Sequence, residues 1–135
     1  MKALKIDHIG IAVKDVKERL KLYEGLFGLK VDHVEELPER GLRVHFVRIG
    51  DTRFELLEEI SEDSEIHSFL EKRGEGIHHI AVKVEGIEGM IEKAKELGLK
   101  PLSDTPQKGA HGTKVVFLHP KTTGGILVEL VEGGE

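Results

Sequence analysis

His78-His79-Ile80-Ala81-Val82-Lys83-Val84 (HHIAVKV) repeats the stretch HIGIAVK that runs from His8 to Lys14, with His79 falling 71 residues after His8. In a chain of 135 residues this divides the sequence into two halves, and an internal repeat constrains the architecture before any single element does. A second matched pair follows each copy. FELLE from Phe54 puts Glu55 47 residues after His8, and VELVE from Val128 puts Glu129 50 residues after His79.

Around the first copy, residues 4–13 alternate with the period of a strand. Ile9, Ile11 and Val13 share one face with Asp7, while Ile6, His8, Gly10 and Ala12 share the other. A β-branched face suits packing on a helix; a face of histidine and small residues leaves room in front of the imidazole. The second copy has the same parity: Ile80, Val82 and Val84 point one way, His79 and Ala81 the other.

The segments between these landmarks complete the repeat. Asp15 is positioned to cap a helix over 15–28, with Val16, Leu20, Tyr23 and Phe27 at helical spacing and Gly28 as terminator. Strands are expected at 29–37, 42–49 and 53–58, the last two joined by Gly50-Asp51 as a hairpin. A charged stretch follows, with a short helix capped by Ser64 and stopped near Gly74. Strand 77–84, helix 87–97, a short strand near Lys100, the loop QKGAHG at 107–112 and strands 113–118 and 126–131 close the chain. The expected fold is α+β: two tandem βαβββ modules forming a curved sheet around a metal-containing cavity, helices outside. Residues 1–135 form one domain, with module one at 1–60, a linker at 61–76 and module two at 77–135.

Composition narrows the chemistry. There is no cysteine, so disulfides and thiolate metal sites are excluded and any metal must take His and carboxylate ligands. A net charge of -5 without a basic run gives no footprint for nucleic acid. No long apolar run or signal-type cleavage site is present, so a soluble, cytoplasmic protein without membrane association is expected. The absence of Asn, with one Gln and two Met, leans toward a thermophilic source.

His8, Glu55, His79 and Glu129 meet if the strands carrying them lie side by side. Two imidazoles and two carboxylates suit a divalent first-row metal and leave positions for water or substrate oxygens. Parity assigns His78 to the helix side and a structural role. His33, His45 and His67 read as surface or filling residues. His111 and His119 lie on loops where substrate contact and turn chemistry are both open, and Lys121 either meets an anionic group or is a solvated loop lysine.

HIGIAV, FELLE, HHIAV, GAHG, FLHPK and GGILVEL, in this order from Asp7 to Glu132, resemble the methylmalonyl-CoA epimerase family of the vicinal oxygen chelate superfamily. HHIAV is widespread in the superfamily, whereas KGAHG followed by VVFLHPKTTGGILVEL is specific to the family. The resemblance implies His8, His79 and Glu129 as metal ligands with Glu55 at the fourth position, and one divalent metal per chain, cobalt first with manganese, zinc or nickel as alternatives. It also implies a CoA thioester substrate, a homodimer and epimerisation through an enolate, for which the repeat offers Glu55 and Glu129 as acid/base groups, one to each face. His111 and Lys121 are candidate substrate contacts. Some relatives carry Gln in place of Glu55, and some a catalytic Glu where this chain has Val44. The alternatives are a glyoxalase-type isomerase of glutathione hemithioacetals, an iron-dependent ring-cleaving dioxygenase that Glu55 would crowd, and a metal-free binding module that would not need the four ligands.

Overall fold

A computed structural model describes residues 1–134, which divide into two compact units. One spans His8–His78; the other joins Met1–Asp7 to the chain from His79 onward. Strand β1 (Lys2–Val13) runs from one into the other, longer than the ten residues expected from the alternation.

In the His8–His78 unit, β2 (Val31–Leu37), β3 (Leu42–Ile49) and β4 (Thr52–Glu59) follow β1, and the strand order is β2-β3-β4-β1. The β2–β3 and β3–β4 pairs are antiparallel, while β1 and β4 run parallel. The other unit carries β5 (Gly76–Glu85), β6 (Gln107–Lys108), β7 (Thr113–Leu118) and β8 (Val128–Gly133) in the order β5-β8-β7-β6. There β7 is antiparallel to both neighbours and β5 is parallel to β8. Strand for strand this is the same βαβββ topology, so the repeat in the sequence is a repeat of pairing.

Helix α1 (Val16–Leu20) starts where Asp15 accepts a hydrogen bond from the Glu18 N–H at 3.3 Å, then loosens into a π-helical turn over Lys21–Leu26. In that turn the Phe27 N–H reaches back five residues to the Leu22 carbonyl. The extra residue rotates the helix end out of phase. Val16, Leu20 and Tyr23 face Val13, Val47 and Leu56 as the spacing requires, but Phe27 is turned half out, with an edge-on ring contact to Tyr23 at 6.2 Å.

Helix α2 (His67–Arg73) begins three residues after the expected cap. The Ser64 hydroxyl donates instead to Glu59 Oε1 at 2.7 Å, and His67 Nδ1 lies 2.8 Å from the same oxygen, so the carboxylate draws the serine away from capping. Ile66 and Leu70 pack with Ala12, Leu42, Val44 and Leu57. The stretch expected as a linker is therefore part of this unit's core, on the sheet face that carries His8.

Helix α3 (Ile87–Glu96) packs Ile87 and Ile91 on Val84, Val116 and Leu130. Its N-terminal residue Gly86 has no capping side chain, and the carboxylate of Glu132 on β8 substitutes by accepting from the Gly86 and Ile87 N–H groups at 2.8 and 2.9 Å. Those two hydrogen bonds hold the Glu132 carboxyl below its ordinary value.

Other boundaries also differ from expectation. The strand expected near Lys100 reduces to an isolated bridge between Pro101, which lacks an N–H for a ladder, and Leu118, while the two-residue β6 lies further along. The last strand starts at Val128 rather than Ile126. Gly124 and Gly125 hold positive φ before it, and the Thr123 hydroxyl donates to the Ile126 carbonyl.

Gly41 closes the turn after Pro38–Arg40 with φ of 69°, and a Cβ there would come within 2.7 Å of the Ser64 backbone. Gly41→Ala should cost more than about 1 kcal/mol in urea unfolding, since strain and clash act together. Gly25→Ala, in the π-helical turn with open space around it, should be neutral or stabilise by up to about 1 kcal/mol. Glu132 yields a pH dependence. Because its folded pKa is depressed, its contribution is complete above the ordinary value of 4.5 and is lost as pH falls through the folded value. The stability gap between the wild type and Glu132→Gln should accordingly be widest near neutrality and narrow on acidification, followed by thermal melts across the acid range.

Candidate metal centre

In the His8–His78 unit, the parallel β1–β4 register sets His8 beside Arg53 and Gly10 beside Glu55. Glycine at position 10 adds no side chain beside Glu55, and His8 Nδ1 and Glu55 Oε2 are 3.3 Å apart. Phe46 on β3 lies opposite Glu55. In the other unit, Ala81 lies beside Glu129, Phe117 lies opposite it, and His79 Nε2 is 3.5 Å from Glu129 Oε1. Each glutamate is thus paired with the residue two places after its histidine. Both imidazoles are buried, as is Glu129.

These contacts suit ligands better than they suit hydrogen bonds. Two donors about 2.1 Å from one first-row ion and roughly 90–110° apart are about 3.0–3.4 Å from each other. Neutral imidazole with carboxylate is also a donor set for such ions, with no soft sulfur ligand. The His8–Glu55 separation falls inside that range and the His79–Glu129 separation just beyond it.

The remaining candidates fall elsewhere. His78 packs edge-on against Phe69 at 5.2 Å, and burial pushes its imidazole pKa down, consistent with a structural role. His45 is buried in register with Leu56, with Nε2 2.9 Å from Glu58 Oε1, and so points to the face opposite Glu55. His67 belongs to the Glu59 cluster. His111 is exposed in a left-handed backbone conformation with φ of 56°, and Lys121 is exposed in the turn Pro120–Thr122, where its N–H donates to His119 Nδ1 at 3.1 Å. Val44 is 4% exposed within the apolar cluster of Ala12, Leu57 and Ile66, an environment that would penalise a charged carboxylate.

Two features of the site escape a reading of the sequence by motif. Phe46 and Phe117 are separated by the same 71 residues as the two histidines, a signal that is present in the chain. Arg53 is the other: its Nη2 donates to Glu55 Oε2 at 3.0 Å, and its guanidinium carbon lies 5.9 Å from the centre of the Phe46 ring.

Comparison with known proteins agrees with this geometry. Residues 7–117 match the Glyoxalase/Bleomycin resistance protein/Dioxygenase superfamily, which defines the class. The mouse mitochondrial methylmalonyl-CoA epimerase is 40% identical over 93% of this chain and 71% of its own length. Ethylmalonyl-CoA/methylmalonyl-CoA epimerase of Cereibacter sphaeroides is 41% identical over 93% of this chain and 96% of its own. A solved methylmalonyl-CoA epimerase in complex with methylmalonyl-CoA and ammonium is 36% identical, with a TM-score of 0.86 over 98% of this chain and 96% of that one. The chain belongs to the methylmalonyl-CoA epimerase family, isomerases within that superfamily. Among the described residues no helix is long and apolar enough to cross a membrane.

Proposed function

We propose that the chain interconverts the (R) and (S) epimers of methylmalonyl-CoA, with His8, Glu55, His79 and Glu129 holding one divalent metal, cobalt first. The observation that carries this reading is a histidine–glutamate pair built twice in identical register, in a chain of the epimerase family. The C2 carbon of methylmalonyl-CoA lies between a carboxylate and a thioester, so its proton is acidified by both. When bound, the metal supplies Lewis-acid stabilisation of negative charge on substrate oxygens, worth several kcal/mol.

The protein's own groups move the proton. One carboxylate takes it from C2, the C–H pair passing into the enolate. The carboxyl group on the other side returns a proton to the opposite face of the same carbon. Glu55 and Glu129 are related by the repeat and are assigned one face each. Either group must come within about 3 Å of C2, directly or through one water. Gly10 and Ala81, beside the two glutamates, keep the strand surface low enough for substrate to approach.

Three experiments test this. Incubating one epimer with cobalt-loaded protein in deuterated water should produce the other epimer with deuterium at C2, and chelation should abolish both. Unexchanged C2 together with turnover of a glutathione hemithioacetal would replace this reading with a glyoxalase-type isomerase. For the ligands, elemental analysis should find metal lost from His8→Ala and His79→Ala but retained in His78→Ala. Glu55→Gln should keep metal through its amide oxygen while epimerisation falls about a hundredfold or more, the scale of general acid–base groups.

A further inference from the structure

The two halves match at the histidine, at the small residue two places on, at the glutamate and at the facing phenylalanine. They diverge at the position two residues before the glutamate, where one half has Arg53 and the other Leu127. Arg53 is next to His8 in the β1–β4 ladder and on the same face as Glu55. Its side chain is 25% exposed, and it bonds Glu55 Oε2 while its guanidinium lies over Phe46, itself opposite Glu55. Glu55 is thus flanked by a cation from its own strand and an aromatic ring from the next. Leucine at 127 has no donor to offer Glu129.

We infer that Arg53 is a positioning residue for Glu55, holding through its bond to Oε2 the same carboxylate oxygen that stands 3.3 Å from His8 Nδ1, and so fixing the carboxylate beside that imidazole. This rests on the metal reading above. The physical basis is that a carboxylate on a glutamate has three rotatable bonds, and a ligating side chain owes much of its geometry to the group that orients it from behind. A guanidinium does so with direction as well as charge, and stacking on Phe46 limits the arginine's own rotamers. It also balances the negative charge that Glu55 adds where some relatives carry a neutral Gln. The two repeat-related carboxylates are therefore unlike: one is held by a side chain two residues away, the other is not held from that position.

The test is a double-mutant cycle of Arg53→Ala and Glu55→Ala, read by the visible spectrum of bound Co(II) and by kinetics. Arg53→Ala should give the Co(II) spectrum of Glu55→Ala, and the double variant the same spectrum again. The kcat for epimerisation should fall about 10–100-fold in Arg53→Ala, the usual scale for residues that orient a ligand, with KM nearly unchanged. In the Glu55→Ala background, removing Arg53 should change kcat by less than about twofold. Arg53→Lys, which keeps a cationic donor, should stay nearer wild type than Arg53→Gln, and comparing these two covers the case in which the alanine variant is unstable. Arg48→Ala removes the same charge from the cross-strand neighbour and should leave spectrum and kcat unchanged. A wild-type Co(II) spectrum in Arg53→Ala and Arg53→Gln, or an equal loss of kcat in both backgrounds, would overturn the inference. If the wild-type protein binds Co(II) but does not epimerise methylmalonyl-CoA, the substrate assignment fails while the spectra still decide the role of Arg53.

Discussion

Everything at the centre depends on two parallel strand pairings, β1 with β4 and β5 with β8. A parallel ladder fixes which residues of distant segments stand side by side, and slipping by one residue would turn each glutamate to the other face. At the observed register Glu55 stands beside Gly10 and Glu129 beside Ala81, and each carboxylate comes within 3.5 Å of its histidine. Larger residues at 10 and 81 would fill the space in which the two side chains meet. The helices support this arrangement by covering the opposite faces: α1 through Val16 and Leu20, α3 through Ile87 and Ile91.

Much of this is readable in the chain. The strands carry clean alternation, and the repeat of 71 residues locates both histidines without any knowledge of the fold. The glutamates emerge from their own matched segments. The features that cannot be read arise from competition between local rules and particular partners. Ser64 has the right identity for a cap, but Glu59 offers its hydroxyl a stronger, charged acceptor. The 3.6-residue spacing from Val16 to Phe27 is sound until the π-helical turn, which spacing alone does not reveal. The charged stretch after Ile60 resembles a linker by composition, yet Ile66 and Leu70 bury themselves against Ala12 and Leu57. Arg53 gives no signal of its own because a lone arginine on a hairpin usually serves only solubility.

The asymmetry between the halves lies in the surroundings of the shared pattern rather than in the pattern itself. The β1–β4 sheet has α2 packed along the far end of its histidine face, while the β5–β8 sheet has a helix whose N-terminus is closed by a side chain of β8. Val44, buried beneath α2, belongs to a packed apolar cluster that has no equivalent polar role, while Glu55 and Glu129 lie on repeat-related strands.

The same parallel register bears on how the protein reaches its native state. Forty-six residues separate His8 from Glu55 and forty-nine separate His79 from Glu129, so each pair forms only when a long loop closes. Closing such a loop costs about 3 kcal/mol in chain entropy beyond the constant term, before any non-local contact compensates it. The hairpins β2–β3 and β3–β4 need much shorter closures and are the natural early structure in their unit, with the docking of β1 against β4 coming afterwards. The paired histidine and carboxylate would then be among the last groups to meet, each imidazole coming to stand beside its carboxylate only in chains whose sheets are already assembled.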